Sequence, residues 1–140
     1  MTTNTVYKEV LMDHYRNPRN FSDVSQSEAV HRGSNPRCGD DIKIGVDFDG
    51  DNIGKIVFQG RGCSVCMASA SMMTESVTGA SKNDVLELTE QLREWFDEKQ
   101  GDTPAPLETL FALDALRQYP ARRRCVLLAW DALESIIQVE

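Results

Sequence analysis

The sequence predicts an α+β fold in which a small antiparallel sheet of about three strands packs against several helices. Residues 6–16 place apolar side chains at helical spacing, which is typical of an amphipathic helix. Residues 42–48 and 53–58 alternate apolar with other residues on either side of an acidic turn, which is typical of a β-hairpin. Beyond residue 63 the apolar residues return to helical spacing. The order of one helix, a small sheet and then several helices indicates a single α+β domain.

Local signals set the expected boundaries of the first half. The first helix should stop before Asn17-Pro18, because the residue before a proline disfavours helical backbone. Residues 28–34 add a candidate third strand. A helix over 63–78, rich in Ala, Met and Ser, should end at Gly79.

The second half is predicted to be helical. Ser81 resembles the start of a capping box that opens a helix to about residue 99. A loop over 101–106 and a short helix over 107–118 follow, and Pro120 marks the start of a last helix to about residue 138. The apolar face of the helix that Ser81 opens carries Val85, Leu88, Leu92, Trp95 and Phe96.

Composition excludes several classes of protein. The 140 residues carry 15 Lys and Arg against 22 Asp and Glu, for a net charge of −7, and 41% of them are hydrophobic. Such a chain can build one real core. The acidic balance argues against non-specific nucleic-acid binding and against docking on an anionic membrane. No apolar run is long enough to span a membrane and no secretory signal is visible, so we expect a cytoplasmic protein.

The cysteines point to a metal site. In a reducing compartment cysteines serve more often as metal ligands or reactive thiols than in disulfides. Cys38 and Asp40 enter the first hairpin strand two residues apart, so both side chains can address one ion. Cys63 follows the second hairpin strand, which returns to the same end, and Cys125 would come from the last helix. Three thiolates and a carboxylate suit zinc, and thiolates also suit iron in a sulfide cluster.

An arginine stands close to each of these cysteines in the sequence. The three are Arg37, Arg61 and Arg124. Because a guanidinium is always cationic, it would favour the thiolate form and offset the negative charge of a thiolate-rich site. We therefore predict a supporting electrostatic role for them.

Other polar residues have plainer interpretations. Cys66 forms a CxxC with Cys63, which suggests a redox pair or a further ligand, but a small buried residue of the Ala-rich helix is the favoured interpretation. The acidic turn over 47–51 lacks the glycine and glutamate positions of a calcium loop. His14 and His31 fall outside the site motifs and are expected to be packed or surface residues.

Long motifs, in the right order, carry a resemblance to a known family. These are NPRCGD over 35–40, GRGC over 60–63 leading into ASASMMTE over 68–75, and a cysteine on a late helix. Together with the HYRNPRN stretch over 14–20, they resemble the U-type iron–sulfur cluster assembly proteins, IscU and SufU, over nearly the whole chain. The resemblance implies one such domain over residues 1–140.

The resemblance favours the SufU branch. The IscU branch carries a histidine just before its last cysteine, where this chain has Arg124, which cannot ligate a metal. A SufU-like protein is implied to bind Zn²⁺ through Cys38, Asp40, Cys63 and Cys125. It would accept persulfide sulfur at Cys38 from a SufS-type cysteine desulfurase. Its other partners would be downstream assembly proteins or apo iron–sulfur proteins.

Two other functions remain open. The same residues are suited to a scaffold that holds iron or a nascent [2Fe–2S] cluster, and a purely structural zinc site is the third possibility.

Overall fold

The computed structural model describes residues 3–98 and 104–139, with side chains from residue 7 onward. Residues 101–103 of the predicted loop over 101–106 therefore lie outside the described residues. The elements in chain order are α1 (Thr3–Arg16), β1 (Ala29–Asn35), β2 (Asp40–Asp49), β3 (Asn52–Arg61), α2 (Ser64–Val77), α3 (Lys82–Asp97), a 3₁₀ segment (Glu108–Gln118) and α4 (Pro120–Val139).

The three strands form one antiparallel sheet in the order β1-β2-β3. Asn35 pairs with Asp40 at one end of β1 and β2, and Asp41 pairs with Arg61 at the same end of β2 and β3. The predicted α+β class and three-stranded sheet are confirmed. The strands run further than the sequence pattern indicates, so Asp40 belongs to β2 and does not precede it.

A glycine fixes the backbone at this end of the sheet. Gly60 has a φ of 126°, a conformation that side-chain-bearing residues rarely adopt. A Cβ at this position would also collide with the carbonyl oxygen of Asp41 on β2. Glycine is therefore required for β3 to stay paired as it approaches the segment that carries Cys63.

The core lies where helices α2 and α4 pack against the sheet and against each other. Ile42, Ile44 and Val46 alternate along β2 and are fully buried, as their spacing predicts. Ser69 of α2 ties the two helices together, because its hydroxyl donates to the carbonyl of Val126 at 2.7 Å and accepts from Trp130 Nε1 at 3.1 Å. These bonds hold α4 in a fixed register over the sheet.

The other helices begin and end largely as local signals indicate. Ser81 caps α3 by accepting the Asp84 N–H at 3.1 Å. Of its predicted apolar face, Leu88 is only partly buried and the rest are buried. The segment before α4 is a helix of the 3₁₀ type. No helix in the described ranges combines the length and the apolar character that a membrane span requires.

Candidate metal centre

A tight turn between β1 and β2 presents the first two candidate ligands. The Cys38 N–H donates to the Asn35 carbonyl at 3.1 Å, and Gly39 follows with a φ of 70°. This turn leaves Cys38 half-buried, whereas Asp40, at the start of β2, is 2% exposed. The turn and the start of β2 thus hold a partly accessible thiol and a buried carboxylate close together.

The third candidate, Cys63, links the sheet to α2. It is the N-cap residue of that helix, and its Sγ accepts the Cys66 N–H at 3.4 Å. Its own N–H donates to Asp40 Oδ1 at 2.8 Å. A Cβ on Gly62 would lie 2.8 Å from the same oxygen, closer than real Cβ atoms come, so a glycine before Cys63 permits this close approach.

The last candidate, Cys125, comes from the second turn of α4 and is fully buried. Its Sγ lies 3.3 Å from the Cys38 Sγ. The potential ligand atoms of Cys38, Asp40 and Cys125 lie within 4.8 Å of one another. Cys63 is not part of that set, although its thiol is near enough to Cys125 to affect its ionisation.

The surroundings of the two buried thiols, Cys125 and Cys66, favour their protonated forms when no cation is bound. Burial raises the pKa of the Cys125 thiol, and its contacts with the Cys38 and Cys63 thiols and the nearby Asp40 charge raise it further. Burial and the Asp40 charge also raise the pKa of Cys66. A cation would reverse this preference, because it stabilises each thiolate that coordinates it.

Two buried oxygens in this region have no hydrogen-bond partner among the described residues: Asp40 Oδ2 and Asn35 Oδ1. Native proteins rarely leave a buried polar atom unpaired, so such atoms indicate a missing partner. For Asp40 the missing partner has to tolerate two neighbouring sulfur atoms as well as a carboxylate oxygen. Zn²⁺ and iron both do, so the donor set and the unpaired oxygen fit a transition-metal ion.

The predicted supporting arginines are placed around this centre but remain in solvent. Arg37 lies in the β1–β2 turn, Arg61 at the end of β3 and Arg124 beside Cys125 on α4, and all three are exposed. An electrostatic effect on the thiols stays a prediction for them.

The remaining polar residues behave mostly as the plainer interpretations predict. Cys66 is fully buried in α2. His14 is buried, and its Nδ1 lies 2.7 Å from Ser71 Oγ, which joins α1 to α2. His31 is exposed on β1.

Sequence reasoning did not single out Asn35. Its Nδ2 lies 3.8 Å from the Cys125 Sγ, and it is 2% exposed. Its place three residues before Cys38, at the end of a strand, was the available signal.

Comparisons with known proteins identify the family of the chain. Residues 6–138 match the family model of the NifU-like N-terminal domain. The chain is 38% identical to the zinc-dependent sulfurtransferase SufU of Bacillus subtilis, with 97% of this chain and 92% of that protein covered. It is 36% identical to the iron–sulfur cluster assembly scaffold protein IscU of Streptococcus pyogenes, with 96% and 84% covered.

A solved structure shows the same arrangement of helices and strands. It belongs to an iron–sulfur cluster assembly scaffold protein for the SUF system from Fervidobacterium islandicum. The TM-score is 0.85 at 29% identity, with 97% of this chain and 99% of that one covered. The family match spans all four candidate ligands. The chain therefore belongs to the NifU-like N-terminal domain family, the U-type proteins of iron–sulfur cluster assembly.

Proposed function

We propose that this protein is a zinc-binding sulfur-transfer protein of iron–sulfur cluster biogenesis, with Cys38, Asp40, Cys63 and Cys125 as its metal ligands. The observation that carries the proposal is the convergence of Cys38, Asp40 and Cys125 donors within 4.8 Å of one another, together with a buried Asp40 oxygen that has no partner among the described residues. Cys63 is added as the fourth ligand because its N–H bond to Asp40 holds it at the rim of this set. The zinc-dependent relative supports the choice of metal.

The structure favours Cys38 as the ligand that is released. Cys125 is buried on a long helix, and Asp40 is buried in a strand. Cys63 is held through its backbone by Asp40 and accepts a bond from Cys66. Cys38 is half-buried in a turn, so its sulfur can leave the site with little change in the core.

The chemistry is nucleophilic sulfur transfer. Bound zinc would keep the coordinated thiols deprotonated and shielded until one is released. The Cys38 thiolate then attacks the terminal sulfur of a persulfide carried by a SufS-type cysteine desulfurase. The sulfur–sulfur bond of the donor breaks, the desulfurase cysteine leaves as a thiolate, and Cys38 becomes the persulfide. Apo iron–sulfur proteins, or other assembly proteins in the same cytoplasm, would be the later recipients.

A second function deserves testing because a relative of nearly equal identity is named a scaffold. In that case a [2Fe–2S] cluster is cargo that is built on the same thiolates and passed on. Three sulfur donors are compatible with iron as well as zinc. The two functions differ in whether the protein accelerates the desulfurase and in which metal it carries after purification.

The test combines metal analysis with a desulfurase assay. Protein purified without oxygen should contain zinc, and adding it to a SufS-type desulfurase should raise the rate of alanine formation from cysteine. Cys38→Ala should abolish the rise. Glu87→Gln, which changes an exposed residue of α3, is the matched control and should keep it.

Two results would contradict sulfur transfer. An unchanged desulfurase rate with the unaltered protein would refute it. An iron-loaded protein that gains cluster absorbance from iron, cysteine and desulfurase, without accelerating the desulfurase, would favour the scaffold.

A further inference from the structure

The fourth cysteine, Cys66, lies beside one of the proposed ligands at the start of α2. Cys63 is the N-cap residue of the helix and Cys66 lies three residues later, in its first turn. The Cys66 N–H donates to the Cys63 Sγ at 3.4 Å, so the Cys63 sulfur folds back over that turn. Cys66 is fully buried, whereas Cys63 is partly accessible. One turn of helix therefore holds an accessible thiol next to a shielded one.

The backbone geometry permits a bond between the two sulfurs. Residues three apart at the start of a helix have Cα atoms about 5 Å apart. A disulfide requires a separation of about 4.4–6.8 Å. A Cβ built on Gly62 would lie 3.3 Å from the Cys66 Cβ, so the Cys66 side chain lies against the loop that leads into Cys63. The separation expected for this backbone therefore falls within the range that a disulfide requires.

We propose that Cys63 and Cys66 form a reversible disulfide that competes with metal binding, with a low-molecular-weight disulfide as the oxidant. The Cys63 thiolate attacks one sulfur of the oxidant, which gives a mixed disulfide and releases one small thiolate. The released small thiolate takes the proton of the Cys66 thiol, and the Cys66 sulfur attacks the Cys63 sulfur, which releases the second small thiolate. The two cysteines lose two electrons and two protons, and one small disulfide becomes two small thiols.

This pairing gives the site a redox control that rests on the proposed role of Cys63 as a metal ligand but does not depend on sulfur transfer. A Cys63 sulfur bonded to Cys66 no longer offers a thiolate, so oxidation removes one of the four proposed ligands. Bound metal would in turn occupy Cys63 and slow the oxidation. Cys66 lies in the first turn of α2, next to Cys63, and attacks the Cys63 sulfur from inside the protein. The oxidant therefore has to reach only the Cys63 thiol.

The competing pair is Cys38 with Cys125, whose sulfurs lie 3.3 Å apart. Tryptic peptides separate the two possibilities. Cleavage after Arg61 and Lys82 leaves Cys63 and Cys66 in one peptide, so their disulfide lies within residues 62–82. Any disulfide that involves Cys38 or Cys125 joins two different peptides.

The experiment exposes the full chain, zinc-loaded and metal-free, to glutathione disulfide without oxygen. Free thiols are then blocked, and the peptides are identified by mass spectrometry. We expect the 62–82 peptide to carry an internal disulfide, which forms faster in the metal-free protein and accompanies zinc release in the loaded one. Reduced glutathione should reverse both changes.

A variant shows whether Cys66 resolves the mixed disulfide. In Cys66→Ala the glutathione adduct on Cys63 should last about tenfold longer or more, because the neighbouring thiol is missing. The same adduct lifetime in the variant and the unaltered protein would overturn the proposal. So would a disulfide that links the peptides of Cys38 and Cys125 in place of the internal one. The peptide result on the unaltered protein decides the matter even if the variant folds poorly.

Discussion

Replacing Asp40 should have opposite effects on metal binding and on the metal-free fold. Asp40→Asn keeps an oxygen that can accept the Cys63 N–H, which now lies 2.8 Å from Oδ1, but it removes the negative charge. A structural zinc site contributes about 10–16 kcal/mol, so an equal share for one of four ligands is about 3 kcal/mol. At about 1.4 kcal/mol per tenfold change, we expect zinc affinity to fall about a hundredfold.

The metal-free protein should respond differently. Without a cation the buried Oδ2 has no partner in the described structure, and an unpaired buried polar atom costs about 1–3 kcal/mol. Asp40→Asn removes the charge from that position. We therefore expect the free energy of unfolding of the metal-free variant to equal or exceed that of the unaltered protein by up to about 1 kcal/mol.

Two measurements decide this prediction. Zinc affinity is measured by competition with a chromophoric chelator, and stability by urea unfolding in the presence of a strong chelator. Asp41→Asn is the matched control, because Asp41 is partly exposed and paired with Arg32 at 2.7 and 2.9 Å. It should bind zinc normally. Unchanged zinc affinity in Asp40→Asn, together with a less stable metal-free fold, would show that the carboxylate has a structural role and is not a ligand.

Three further substitutions test the fold around the site. Ser69→Ala removes the hydrogen bond from Trp130 Nε1 and the bond to the buried Val126 carbonyl. Urea unfolding should therefore show that the free energy of unfolding falls by about 2 kcal/mol, and an unchanged value would contradict the described packing. Gly60→Ala should lower the free energy of unfolding by about 2–3 kcal/mol and weaken zinc binding, because a side chain at this φ is strained and collides with the Asp41 carbonyl oxygen. Unchanged stability and zinc affinity would refute this prediction. Burial lowers the pKa of His14, so the unfolded state binds more protons and stability should fall as the pH drops below about 6.5. His14→Gln should reduce that slope between pH 7 and pH 5, measured by unfolding in buffers of equal ionic strength.

Local sequence signals predicted most of the fold. The alternation along β2, the proline that follows α1 and the Ser81 cap of α3 each act over a few residues, so a single sequence reveals them. The end of the sheet was less predictable. The strands extend to Asp40 and Arg61 because pairing across the sheet outweighs the unfavourable strand propensities of Asp and Gly there.

The candidate site divides in the same way. The spacing of Cys38 and Asp40 and the return of the hairpin to Cys63 indicated which residues would meet at one end of the sheet. The position of Cys125 could not be derived from spacing. It depends on how α4 crosses the sheet, and packing against α2 and the bonds of Ser69 decide that.

By itself, the amino-acid sequence determined the element order, the family motifs and the candidate ligands, because periodicity, turn residues and motif spacing are properties of short segments. The tertiary structure alone decided that Asp40 has a buried oxygen with no partner among the residues that the structure describes, and that Asn35 lies beside Cys125. It also decided that the Cys63 sulfur turns back to accept the Cys66 N–H. These facts arise where segments far apart in the chain exclude water together, or where a helix fixes its first turn. The order of residues does not by itself reveal which atoms are buried or which way a thiol points.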